Sequence, residues 1–194
     1  MLHSTETLDS IKKLLTGLRT NKEGEEFKRE RWVTIEEAHL LYNLVYLEGV
    51  QNYYESGTAN GYSASWATLA ILQNATVPNS HTWDPHNRDK IWEKFSVFKN
   101  FKKLINFHNE EFVSSKKMNK IPSRSLFFID GNHSQTGFSQ DFDHVKRMAV
   151  KGDIIMVHDA LRGYPYILTI FEDFCTGKKY KVVPTERGVG IVWL

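Results

Sequence analysis

Glu55-Ser56-Gly57-Thr58-Ala59-Asn60-Gly61-Tyr62-Ser63 is the stretch whose reading decides the fold. It follows Val50-Gln51-Asn52-Tyr53-Tyr54 and precedes Ala64-Ser65-Trp66-Ala67-Thr68-Leu69-Ala70-Ile71-Leu72. That order reads as strand, glycine-bearing turn, helix. A glycine turn here lets the backbone approach a ligand closely, and the first turn of the new helix offers unpaired N–H groups. The acid at the strand end is placed to accept hydrogen bonds from a ligand's hydroxyl or amino groups. Gly57 and Gly61 are separated by Thr58-Ala59-Asn60, which is not the G-x-G-x-x-G spacing of dinucleotide binders. Taken alone, the stretch fits a tight turn without a ligand about as well.

Outward from this unit the pattern alternates. Strands are expected near 50–55, 80–84, 103–108, Ser125–Ile129 and Asp153–Val157, with helices at 62–73, 88–100 and 136–149 between them. A helix near 164–175 follows, then the strands Tyr180–Val183 and Gly190–Trp193. Pro184-Thr185-Glu186-Arg187-Gly188 joins these two and is short enough for a hairpin, so the last strand is expected to run antiparallel. Apolar strands alternating with helices imply a mostly parallel sheet covered on both faces, an α/β fold. Upstream, Leu8, Ile11, Leu14, Leu15 and Leu18 share one face of an amphipathic helix over 4–20. The polar run 21–30 reads as a connector. Thr34 then reads as an N-cap with Glu37 in the capping-box position, opening a helix that runs to about Glu48. The expected organisation is a helical extension over 1–48 and a sheet-bearing domain over 49–194, within one globular unit.

Composition narrows the class. The 194 residues are 41% hydrophobic and 25% charged, as in an ordinary globular protein. A formal charge of +2 gives no argument for nucleic acid. Cys175 is the single cysteine, which excludes an internal disulfide and favours a reducing compartment. No apolar run approaches a membrane span, and Met1-Leu2-His3-Ser4 lacks a secretory pattern. A cytoplasmic protein that binds neither membrane nor nucleic acid is the expectation.

In open parallel sheets ligands lie at the carboxyl ends of the strands. Here those ends are Glu55, Trp83-Asp84, His108-Asn109-Glu110, Asp130-Gly131-Asn132-His133 and His158-Asp159. All five carry polar or ionisable side chains. A carboxylate at the second end, Asp84, suits the two hydroxyls of a ribose, although Asp84-Pro85 is also turn chemistry. Asp130 and Asp159, with His133 or His158, supply the oxygen and nitrogen ligands that suit a divalent ion. Asp141 and Asp143 read as solvated or capping carboxylates. Arg162 and Tyr164 follow the fifth strand end and read either as substrate contacts or as exposed loop residues, and Lys116, Lys117 and Lys120 as solvated loop charge.

The ordered set Glu55-x-Gly57-x-x-x-Gly61-x-Ser63, Asp84, Phe128-Ile129-Asp130-Gly131-Asn132-His133 and Gly152–Asp159 resembles the class I S-adenosylmethionine-dependent methyltransferases. The resemblance is to small-molecule O-methyltransferases of the cephamycin-biosynthesis and macrocin types and, more remotely, to catechol O-methyltransferase. It covers about residues 36–194. It implies a Rossmann-like three-layer sandwich with a seven-stranded sheet and N-terminal helices. It also implies S-adenosylmethionine as cofactor and a hydroxyl on a small molecule as acceptor. The implied cofactor-binding residues are Glu55, Gly57, Gly61, Ser63, Asp84, Asn109 and Asp130. Asp130, His158 and Asp159 would be ligands of Mg²⁺ or another divalent cation, and Asp130 and His133 the catalytic pair. The N-terminal helices would cover the acceptor pocket or form a homo-oligomer contact. The chain departs from the catechol pattern at Ala160, where those enzymes carry Asn, and it lacks their lysine base after Asn132.

The same residues bear on three other classes. Gly131-Asn132-His133 is also similar to the G-N-H segment of metallophosphoesterases, but the early D-x-H that such a hydrolase needs is missing. A nicotinamide oxidoreductase is opposed by the glycine spacing. A cofactor-binding module without catalysis stays open on sequence, because one fold hosts many functions.

Overall fold

The computed structural model describes residues 5–17, 33–75, 77–88, 101–115 and 123–194. At its centre lies β1 (Asn52–Ser56), buried at every position. It pairs in parallel with β2 (Asn79–Trp83) on one side and β4 (Ser125–Ile129) on the other, so Glu55 sits between Thr82 and Phe128. β3 (Ile105–His108) extends the sheet beyond β2, and β5 (Ile154–Val157) extends it beyond β4, both parallel. β7 (Val189–Trp193) is antiparallel to β5 and forms a hairpin with β6 (Lys179–Val183). The order is β3-β2-β1-β4-β5-β7-β6. The direction of winding switches between β1 and β4, which opens a crevice at their carboxyl ends.

Among the described residues five α-helices cover the sheet: α1 (Thr5–Gly17), α2 (Ile35–Leu47), α3 (Tyr62–Asn74), α4 (Gln135–Met148) and α5 (Pro165–Cys175). Successive strand side chains point to opposite faces, so Tyr53 and Tyr54 belong to different cores. Tyr53, Phe128 and Met156 pack with Leu15 of α1, Leu41 and Val45 of α2, and Trp66, Leu69 and Ala70 of α3. Tyr54, Phe127, Ile155 and Val157 pack with Phe142 of α4 and Phe171 of α5. α3 is buried from Tyr62 through Leu72 because the sheet lies under it and α2 over it. A helix clamped on two sides has no polar face to show, which explains its small side chains and weak amphipathicity.

The expected elements are present with boundaries shifted by one or two residues. β1 starts at Asn52 rather than 50 and continues through Ser56, and β2 stops at Trp83, so Asp84 is the first residue off the strand. The capping box of α2 forms as expected: Thr34 Oγ1 accepts from the Glu37 N–H, and Glu37 Oε2 accepts from the Thr34 N–H. The helix expected at 88–100, the connector at 21–30, and Lys116, Lys117 and Lys120 lie outside the described residues. No helix among the described residues is long and apolar enough to cross a membrane.

Candidate active site

A cavity of ≈ 460 Å³ opens at the carboxyl ends of β1, β2 and β4. Its floor is where two loops cross. A Cβ on Gly57 (φ 92°) would lie 2.3 Å from the Asp130 carbonyl oxygen, and one on Gly131 would lie 2.2 Å from Ser56 Oγ. Only glycine fits at both positions, so the β1 and β4 loops interlock there. Gly61 (φ 71°) caps α3 in a left-handed conformation and turns the chain out of the loop.

The expected cofactor-binding residues separate into two groups. Gly61, Ser63, Asn109 and Asp130 are not lining residues of the cavity, whereas Gly57 and Asp84 line it, together with Ser56, Trp83, Arg88, Glu111, Phe112, Asn132 and His133. Glu55 does not. It lies under the glycine turn, fully buried, and accepts hydrogen bonds from Tyr53 Oη (2.9 Å), Thr82 Oγ1 (2.6 Å) and Ser63 Oγ. Burial pushes the Glu55 carboxyl up to about 8, against the pull of the three hydroxyl donors. Ser63 is thereby committed to Glu55. Asp84 is 4% exposed and fixes the turn: Oδ2 accepts from the Ala59 N–H (3.1 Å) and Arg88 Nε (2.9 Å), and Oδ1 from the His86 N–H (2.9 Å). Asn109 is exposed beyond β3 and away from the cavity, whose wall on that side is Glu111-Phe112-Val113.

Two further cavity residues, Trp83 and Asp141, are open between site and structural roles on sequence. The Trp83 ring stacks on His108 (centroids 4.4 Å apart), and its buried indole N–H has no partner among the described residues. Asp141 is not a solvated carboxylate. It is 6% exposed, lines the cavity and accepts a hydrogen bond from Ser56 Oγ. Burial pushes it up to about 6, opposed by the Ser56 bond. Its position on α4 (Gln135–Met148), facing the end of β1, is a tertiary fact with no local spacing signal. Asp143, by contrast, is exposed and pairs with Lys146 as expected.

Beside the cavity the fourth and fifth strand ends meet. His133 Nε2 lies 2.8 Å from Asp159 Oδ2 and 3.3 Å from Asp130 Oδ1. The ligand atoms of Asp130, His133 and Asp159 fall within 4.8 Å of one another. His158, expected as a ligand, is not in this group. Its Nδ1 faces Asp130 Oδ1 (3.0 Å) and its Nε2 faces Glu37 Oε2 (3.0 Å), so both ring nitrogens are engaged. Burial disfavours charge on His133, but the flanking carboxylates outweigh it and push the imidazole up to about 9. The same contest raises His158 and lowers Asp130. Asp159 adopts a left-handed backbone (φ 56°), which Asp tolerates better than most residues.

Glu37 of α2 is the residue that sequence spacing least reveals. It is fully buried and serves three elements at once. Besides its capping bond to Thr34 it accepts from His158, from Thr185 Oγ1 (2.7 Å) and from the Arg187 N–H (3.2 Å). The β6–β7 loop, held in this way, directs Arg187 Nη1 onto Asp159 Oδ1 (2.7 Å). A second cavity of ≈ 390 Å³ adjoins this loop, lined by Arg162, Gly163, Tyr164, Glu186 and Arg187. Arg162 and Tyr164, read on sequence as substrate contacts or exposed loop residues, are wall residues here. The Tyr164 ring stacks on His133 (5.0 Å, 29°), so His133 separates the two cavities.

Comparisons agree with this architecture. An O-methyltransferase from Bacillus cereus in complex with SAH matches with a TM-score of 0.67 at 14% identity, covering 100% of this chain and 93% of that one. A putative caffeoyl-CoA O-methyltransferase from Staphylococcus aureus gives 0.69 at 15%, covering 94% and 98%. TomG, an O-methyltransferase from Streptomyces achromogenes involved in tomaymycin synthesis and solved in complex with SAM, gives 0.65 at 16%, covering 100% and 92%. At these identities the likeness is one of fold. No curated protein matches the chain in sequence. A methyltransferase-domain family profile matches residues 54–160, from β1 through the turn after β5 and so across every strand end of the site, and the chain belongs to that methyltransferase family.

Proposed function

We propose that this chain transfers the methyl group of S-adenosylmethionine to a hydroxyl of a small molecule. The observation that carries the reading is the adjacency of the glycine-floored cavity to the Asp130–His133–Asp159 cluster. The cofactor would lie over Gly57 and Gly131, with Asp84 facing its ribose and Trp83 and Phe112 flanking its base. Asp141, Glu111 and Asp84 make the cavity acidic, which suits a ligand bearing a sulfonium and an ammonium. Glu55 and Ser63 act from below by holding the turn in shape.

The acceptor hydroxyl would approach from the His133 side. Its oxygen would attack the methyl carbon in line, the C–O bond forming as the S–C bond breaks, and the hydroxyl proton would pass to the His133 imidazole. His133 accepts that proton only from its neutral form, so turnover without metal rises with pH toward about 9. The donor set of Asp130, His133 and Asp159 also fits a divalent cation in ligand type. Such an ion would supply a lowered acceptor pKa and a fixed orientation.

The test is calorimetric titration with S-adenosylmethionine, followed by methyl transfer to a panel of hydroxylated acceptors with and without chelator. Binding with a Kd in the micromolar range is expected, with turnover on at least one acceptor. No binding rejects the reading. Asp159→Ala should remove turnover while leaving cofactor affinity within about twofold, since Asp159 lies outside the cofactor cavity.

A further inference from the structure

We infer that the second cavity is the acceptor subsite and that it selects an acceptor carrying an anionic group, a carboxylate or a phosphate. This rests on the methyltransferase reading and adds the substrate class to it. The cavity shares a wall with the reactive cluster: Tyr164 lines it and stacks on His133, and Arg187 lines it and holds Asp159. Through these two residues the cavity adjoins the His133–Asp159 pair.

The charges of the wall point to the chemistry. Arg187 commits Nη1 to Asp159, whose charge offsets its own. Arg162 has no ion-pair partner among the described residues and stands on the same wall. Glu186 is the one carboxylate lining the cavity, and it is exposed. Arg162 is therefore the cation that the wall offers to a ligand. The planar fork of arginine suits a carboxylate or phosphate through paired hydrogen bonds. The backbone keeps the two arginines together, since the N–H groups of Leu161 and Arg162 both donate to the Arg187 carbonyl (2.9 and 3.1 Å). The anion would fix one end of the acceptor while its hydroxyl reaches His133, which makes Arg162 a specificity-determining residue.

The experiment uses the full chain loaded with SAH. SAH titration comes first and reads the methyltransferase proposal by itself: no binding sinks that proposal. Benzoate, phenyl phosphate and the neutral benzamide are then titrated by calorimetry or by chemical-shift perturbation. At least one anion is expected to bind about tenfold or more tighter than benzamide, the size of one charge-assisted contact. Which anion wins identifies the group. Arg162→Ala should abolish most of that preference without moving the melting midpoint, because Arg162 is exposed. Arg162→Lys should keep part of it, and Glu186→Gln should tighten the anion. SAH binding with no anion preference overturns the inference alone. So does a preference that survives Arg162→Ala, and so does an absence of binding by all three probes.

Discussion

Asp84 and Glu55 close adjoining strands, yet they face opposite sides of the glycine turn. Asp84 lines the first cavity and Glu55 is sealed beneath it. Asp84→Ala should therefore weaken S-adenosylmethionine binding about tenfold or more, measured by calorimetry, because it removes a charged acceptor from the cavity wall. An unchanged affinity would take Asp84 out of the site. Glu55 makes itself felt in stability instead. Its carboxyl is protonated in both the folded and unfolded chain well below 4.5, the ordinary value. Between 4.5 and about 8 the unfolded chain loses the proton and the folded chain keeps it. Stability from this group is thus complete in acid, falls as pH rises across that window and levels off above it. Urea unfolding of the wild type at pH 5 and pH 8, set against Glu55→Gln, should show a shallower pH slope in the variant. Equal slopes would mean that Glu55 ionises normally. Sequence placed both acids correctly at strand ends. Which way each side chain faces was not readable, because it depends on Ser63 and Thr82 reaching the same point from different elements.

At the scale of elements, α2 is more than a cover. Its capping box was legible from Thr34 and Glu37, since the motif is local and four residues long. The second use of Glu37 was not, because its partners His158, Thr185 and Arg187 lie more than a hundred positions away in the chain. The two roles predict different costs. Thr34→Ala removes one capping bond and should lower stability by about 1 kcal/mol. Glu37→Ala removes the cap and strands a buried imidazole between carboxylates, so a loss of about 3 kcal/mol or more is expected in denaturant titration. Equal losses would mean that the inner contacts of Glu37 carry no weight. The β6–β7 hairpin shows the same division. Its existence followed from a five-residue connection, whereas the aim of Arg187 at Asp159 follows from how Glu37 and Thr185 fold that connection.

For the whole molecule, strand–helix alternation was enough to foresee a parallel sheet with an antiparallel last strand, because buried strands have a distinct apolar signature. The gathering of Asp130, Asp159 and His133 followed from the rule that strand ends share one rim. Asp141 on α4 and Arg187 in the β6–β7 loop, which complete the rim, carry no such rule and emerged only in three dimensions. One consequence concerns how far this protein could be trimmed. The sheet-bearing unit begins on paper at β1, and a shortened version starting at residue 49 is the obvious minimal scaffold. Yet the keystone carboxylate comes from upstream, as does much of the packing over α3. Such a fragment should lose fixed near-ultraviolet dichroism and release Arg187 from its post, so that adding back the missing helices as a separate peptide would be needed to restore a working rim.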